Sequence, residues 1–142
     1  MIQNIYKLYI SILSLILIFS LSACATTQYK NIDNAGLNIK QQDAMILEIT
    51  NILKQNYPMA TYRNIGLSAD AEMSKQLIKN LKLNGYVIDE PSKDNLKFKY
   101  YITKLDESRI ILSLYMGDMK ASKIYMLKAG SLISNSSLTM GM

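Results

Sequence analysis

Three kinds of residue in this chain could take part in covalent or acid–base chemistry. They are the single cysteine, Cys24, the neighbouring carboxylates Asp89-Glu90 and Asp106-Glu107, and Ser68. Histidine is absent, which removes imidazole acid–base catalysis, a Cys/His pair and a His- or Cys-rich zinc site, and a lone cysteine cannot close an internal disulfide. Carboxylates adjacent in sequence point apart at a strand end, whereas a glycosidase-type pair must converge across a cleft. Both pairs also sit where turns need polar side chains. Ser68 stands where a helix needs an N-cap, with Asp70 and Glu72 in a first turn favoured by the helix dipole. From Gly130 onward no Gly-Lys phosphate cradle occurs. The expectation is a protein that is not an enzyme, with no catalytic residue, no metal and no cofactor other than a group carried covalently on Cys24.

The surroundings of Cys24 give it a different chemistry. After Lys7 an apolar run extends from Leu8 to Phe19, broken only by Ser11 and Ser14. That is the length of a signal-peptide core and short of the roughly 20 residues of a membrane span. Leu21-Ser22-Ala23-Cys24 follows and resembles the lipobox of bacterial lipoproteins, an aliphatic residue, two small residues and a cysteine. The resemblance implies cleavage after Ala23, lipid on the Cys24 sulfur, and Cys24 as the mature N-terminus. Each buried methylene contributes about 0.8 kcal/mol, so two or three acyl chains hold a protein at a bilayer that one chain holds only marginally. An ordinary signal peptide with an incidental cysteine, or an uncleaved anchor helix, are the alternatives. Ala25 lacks the Asp that signals inner-membrane retention in that class, which makes the outer membrane, on its periplasmic side, the expected location.

The net charge is +5, with 16 Lys and Arg against 11 Asp and Glu. Residues 1–23 carry one of those charges, on Lys7. The rest is spread without a Lys/Arg block and includes only Arg63 and Arg109 as arginines, whereas nucleic-acid binders concentrate charge on one face. The balance is therefore uninformative about partners; neither direct nucleic-acid binding nor a small-molecule substrate is expected.

The elements that would carry any surface can be read from periodicity. Residues 24–41 are polar and predict a lipidated flexible tether. Met45, Ile49, Ile52 and Leu53 form one stripe of an amphipathic helix starting near Gln41 and ending before Pro58. Ala60 to Leu67 reads as extended. Met73, Leu77, Ile78 and Leu81 form a second stripe, closed by Asn84-Gly85, and Tyr86 to Asp89 reads as a brief strand.

In the last third the period becomes two. Leu96, Phe98, Tyr100 and Ile102, then Ile110, Leu112, Leu114 and Met116, each define an oily strand face. A three-residue loop, Leu105 to Glu107, would pair Ile102 with Ile110 and Tyr100 with Leu112. A loop of Gly117, Asp118 and Met119 would set Leu112 opposite Ile124 and Ile110 opposite Met126, whereas a two-residue Gly117-Asp118 turn would put Lys123 on the buried face. A one-residue slip exchanges the faces, so this choice decides which side chains form the outer row. The favoured register lines up Tyr101, Ile111 and Tyr125, with Tyr115 nearby, as a possible partner surface. Cover by the C-terminal segment, or ordinary cross-strand packing, is the alternative. The predicted fold is α+β, two amphipathic helices on one face of a small antiparallel sheet ending in a β-meander. A signal peptide occupies 1–23, the tether 24–41, a single domain 42–130 and a loosely ordered tail 131–142.

The order of these features resembles the TrbH family of conjugal-transfer lipoproteins. The likeness rests on a lipobox, a polar stretch, a helix ending in Asn56-Tyr57-Pro58-Met59-Ala60-Thr61, a second ending in Asn84-Gly85-Tyr86-Val87, the acidic Glu90, and a meander. It implies a structural, non-catalytic part of a type IV secretion (mating-pair formation) apparatus, attached to the membrane by lipid. The implied protein partner is a larger outer-membrane ring subunit. An exclusion or inhibitor-type envelope lipoprotein, binding a target outside its own assembly, is the competing reading.

Overall fold

The computed structural model describes residues 30–61 and 64–142. Two helices, α1 (Ile39–Asn56) and α2 (Glu72–Leu83), combine with eight strands: β1 (Ile32–Asp33), β2 (Asn64–Gly66), β3 (Val87–Asp89), β4 (Leu96–Lys104), β5 (Arg109–Met116), β6 (Met119–Lys128), β7 (Ser131–Ser134) and β8 (Thr139–Gly141). The α+β class is as expected. Among the described residues, no helix is long and apolar enough to cross a membrane.

α1 begins two residues earlier than the stripe suggests because Asn38 and Gln41 form a capping box. Asn38 Oδ1 accepts from the Gln41 N–H at 2.9 Å, and Gln41 Oε1 accepts from the Asn38 N–H at 3.0 Å. Met45, Ile49, Ile52 and Leu53 are all buried. The helix stops at Tyr57, whose backbone leaves helical angles (φ −132°, ψ 70°) ahead of Pro58. That end is latched to the sheet: the Tyr57 hydroxyl donates to the Met116 carbonyl at 2.6 Å, and the Tyr86 hydroxyl donates to the Tyr57 carbonyl at 2.8 Å.

α2 is capped by Ala71 without a side-chain bond, so Ser68 is not its N-cap. Asp70 lies before the helix and accepts from the Ser74 hydroxyl and from Asn31. Met73, Leu77 and Leu81 are buried, Ile78 partly so, and Gly85 (φ +90°) follows the helix as its pattern predicts.

The sheet runs β3-β2-β4-β5-β6-β7, with β1 added to β4 and β8 to β6. It is mixed rather than purely antiparallel, since β2 pairs parallel with β3 and with β4, and β1 pairs parallel with β4. The β4–β5 pairing sets Ile102 opposite Leu112 and Tyr100 opposite Leu114, two residues from the expected register. An even slip keeps each side chain on its face, so the oily faces still meet; the loop is longer because Leu105 and Asp106 N–H groups both donate to the Arg109 carbonyl.

The β5–β6 pairing corrects the reading by one residue and therefore exchanges faces. Met116 pairs with Met119 around a two-residue Gly117-Asp118 turn, placing Leu112 opposite Lys123 and Ile110 opposite Tyr125. Gly117 has φ +61° while Asp118 has no positive φ, the pattern of a type II′ hairpin turn, whose twist suits the flanking strands. The burial that ought to exclude Lys123 is offset by Glu48 of α1, whose Oε1 lies 2.6 Å from Lys123 Nζ.

Both ends of the folded unit extend beyond the predicted 42–130. The polar stretch is packed from Asn31 onward, with Ala35 and Leu37 in the core and β1 on the edge of β4, so the flexible segment expected over 24–41 does not reach that far. Residues 131–142 hold β7 and β8, both paired antiparallel with β6, instead of a loose tail. The buried residues of α1, α2 and the strands make one hydrophobic cluster.

Candidate binding surface

The residues of β4, β5 and β6 alternate between that cluster and the outside. Inward are Phe98, Tyr100, Ile102, Ile110, Leu112, Leu114, Met116, Ala121 and Tyr125, all buried. The outward positions are Lys97, Lys99, Tyr101 and Thr103 on β4, Arg109, Ile111, Ser113 and Tyr115 on β5, and Lys120, Ser122, Ile124 and Met126 on β6. Tyr101, Ile111 and Tyr115 thus share a half-buried outer face as expected, but Tyr125 does not. The one-residue correction moves it inside, where it is 4% exposed and donates to Glu48 Oε1 at 2.9 Å. Ile124 takes its place opposite Ile111.

The outer face has two chemically different ends. At the β4 start, Tyr101 and Tyr115 meet edge to face, ring centres 5.3 Å apart at 87°. Lys99 Nζ stands 5.8 Å from the Tyr101 ring centre and 5.0 Å from that of Tyr115, and Lys120 Nζ lies 5.4 Å from the latter. Ammonium groups over ring faces at such distances are attracted by the ring quadrupole, by about 0.5–1 kcal/mol at an exposed site. Beside them is a cavity of about 570 Å³ whose lining includes Lys93, Lys97, Lys99, Tyr115 and Asp118. At the other end, Ile111, Ile124 and Met126 are joined by Ile133 of β7, which pairs with Met126. The signal for the lysines in the sequence is the alternation of Lys97 and Lys99 with Phe98, on the parity of Tyr101.

The other candidate residues have structural tasks. Asp106 Oδ2 accepts from Arg109 at 2.6 Å, and its Oδ1 accepts from the Ser108 N–H, closing the β4–β5 loop. The Arg109 hydrogen bond, then the Ser108 N–H, holds the Asp106 carboxyl below the usual range. Asp89 ends β3, and the Glu90 carbonyl accepts from Asn95. Ser68 contributes its carbonyl to the Asn31 side chain. A second groove, between the helices, holds Ile46, the exposed Leu47 and Leu83, and Lys79. Leu21, Ser22, Ala23 and Cys24 lie outside the described residues.

A family model described as conjugal transfer protein TrbH matches residues 26–142. No curated protein and no solved structure matches the chain.

Proposed function

We propose, for a chain that belongs to the TrbH family of conjugal transfer proteins, that it is a non-catalytic structural component of a mating-pair-formation (type IV secretion) apparatus. Cleavage after Ala23 and acylation of Cys24 hold it on the periplasmic side of the outer membrane. The observation that carries this reading is the span of the family match. It begins two residues after Cys24 and runs to residue 142, which is nearly the whole chain that lipobox cleavage would leave.

The fold supports the same reading. Inward residues of β4, β5 and β6 share one cluster with those of α1 and α2, and the apolar end of their outward side, Ile111, Ile124, Met126 and Ile133 with Tyr101 at the border, offers area to a protein neighbour. A larger outer-membrane ring subunit is the partner proposed for it. The test is DNA transfer from a donor lacking the gene. Transfer is lost, is restored by the wild-type gene, and is not restored by Cys24→Ser, while labelled palmitate enters the wild-type polypeptide only. Normal donor ability with altered recipient behaviour overturns the reading in favour of an exclusion protein.

A further inference from the structure

Three observations bear on how the domain sits at a bilayer, given the proposed acylation of Cys24, on which this inference rests. The first is reach. Asn31 is part of the folded domain, being 3% exposed and fixed by Asp70, the Ser68 carbonyl and the Tyr100 N–H. Seven residue steps separate Cys24 from Asn31, and seven steps of fully extended chain span at most about 25 Å. The acyl chains therefore hold the domain beside the headgroups.

The second is direction. β1 is parallel to β4 with Ile32 opposite Tyr101, and Asn31 before it accepts from the Tyr100 N–H, so the described chain enters the sheet from the Tyr100 side of β1. That entry lies beside Tyr101, at the border between the lysines and the apolar end, since Thr103 and not Tyr101 pairs with Ile111. The third is charge. None of the outward residues of β4, β5 and β6 is a carboxylate, and the basic end joins Lys97, Lys99 and Lys120 to Tyr101 and Tyr115, with Lys93 at the rim. Asp118, in the hairpin turn, is the one acid in the cavity lining. Lysines that meet anionic phosphate, beside rings with an apolar body and a polar tip, match the chemistry of a headgroup layer. A second copy of the same face would set lysines against lysines.

We propose that Lys97, Lys99, Tyr115 and Lys120, with Lys93 at their rim, dock on the anionic phospholipid surface of the leaflet that holds the anchor. This orients the domain with its apolar end directed away from the lipid.

The chain has no tryptophan, so Tyr115→Trp puts a sole reporter on the docking end, and Leu47→Trp puts one on the exposed side of α1. Each mature, acylated protein is reconstituted in vesicles of phosphatidylethanolamine and phosphatidylglycerol doped with a lipid bearing a nitroxide on its headgroup, a short-range quencher. Indole fluorescence of the Tyr115→Trp protein is expected to be quenched about twofold more than that of the Leu47→Trp protein, and the excess to vanish when phosphatidylcholine replaces phosphatidylglycerol. It should also vanish at about 0.5 M salt, where charge interactions are screened within a few ångströms, and in the Lys97→Gln/Lys99→Gln/Lys120→Gln background. Equal quenching of the two reporters, stronger quenching of the one on α1, or quenching indifferent to lipid charge overturns the docking. An unquenched reporter on the docking end, with Lys99 cross-linked to carboxylates of a co-purified protein, gives the face to an acidic protein and overturns it too. Acylated Tyr115→Trp protein that floats with vesicles yet stays unquenched removes the docking alone. Protein that lacks acyl mass on Cys24 and fails to float removes the anchoring with it.

Discussion

Tyr125 and Glu48 are joined across the interior: the Tyr125 hydroxyl donates at 2.9 Å to Glu48 Oε1, the same oxygen that lies 2.6 Å from Lys123 Nζ. Lys123 Nζ also stands 5.3 Å from the centre of the Tyr125 ring. α1 thereby supplies one carboxylate to two neighbouring positions of β6 and makes the inward placement of a lysine tolerable. Burial, and then the Glu48 hydrogen bond and charge, push the Tyr125 hydroxyl pKa well above its ordinary value.

Removing that carboxylate should be costly. Glu48→Ala leaves Lys123, 18% exposed, without its counter-ion and the Tyr125 hydroxyl without its acceptor, and the expected loss is about 2–4 kcal/mol in denaturant unfolding. Replacing the pair together, Glu48→Leu with Lys123→Leu, should recover most of that loss, because a partly buried ion pair exchanged for apolar groups of similar size is close to neutral. A double variant as unstable as Glu48→Ala would show that the cost lies elsewhere.

Asn31 should be equally sensitive to truncation. Its Oδ1 accepts from the buried Tyr100 N–H at 3.1 Å, while its Nδ2 donates to the Ser68 carbonyl and to Asp70. β2 occupies the same edge of β4 at Leu96 and Lys97, and β1 occupies it at Tyr101 and Ile102, so Asn31 fills the interval between two parallel strands. Asn31→Ala leaves the Tyr100 N–H unpaired in the interior, with an expected loss of about 2–3 kcal/mol. Hydrogen exchange at the Tyr100 amide should accelerate more than at Ile110. Unchanged exchange there refutes the role.

The legible parts of the fold were those set by local periodicity. Met45, Ile49 and Leu53 gave the first helix, Tyr57-Pro58 its end, Asn84-Gly85 the end of the second, and the alternation of Phe98, Tyr100 and Ile102 gave β4. What escaped depends on partners distant in sequence. Lys123 reads as an outside residue until Glu48, 75 positions earlier, is placed beside it, and the same one-residue register decides that Tyr125 faces inward. Asn31 looks like linker until Tyr100 is known to need an acceptor. The basic end was visible in the alternation of Lys97 and Lys99, but only three-dimensional pairing brings Lys120 and Tyr115 to them.

The β6–β7 turn offers a stabilising change. Ala129 (φ 49°) and Gly130 (φ 76°) both adopt positive φ between the paired Lys128 and Ser131, as a two-residue type I′ turn requires. An alanine Cβ is disfavoured in that region by roughly 1–2 kcal/mol, whereas asparagine tolerates it. Ala129→Asn should raise stability by about 0.5–1 kcal/mol, read as a higher denaturant midpoint at an unchanged slope. A lower midpoint would refute the strain at this position.

Alkaline pH should unfold the domain through its buried tyrosines. Burial raises the Tyr100 pKa from 10.0 to about 12, partly opposed by the 2.9 Å hydrogen bond with Ser74, and burial also raises that of Tyr86. An unfolded tyrosine releases its proton near pH 10 while folded Tyr100 keeps its own until about pH 12. Above pH 10 the unfolded chain therefore binds fewer protons, and the slope of unfolding free energy with pH is negative. The contribution is present in full below pH 10 and declines across the interval from 10 to about 12, by up to roughly 1.4 kcal/mol per pH unit for each such proton. Tyr100→Phe should cost about 1 kcal/mol at pH 7 through the lost Ser74 bond, yet flatten the decline above pH 10. Denaturant midpoints of the two proteins should converge between pH 10 and 11.5; parallel curves would mean that the Tyr100 hydroxyl titrates alike in the folded and unfolded chain.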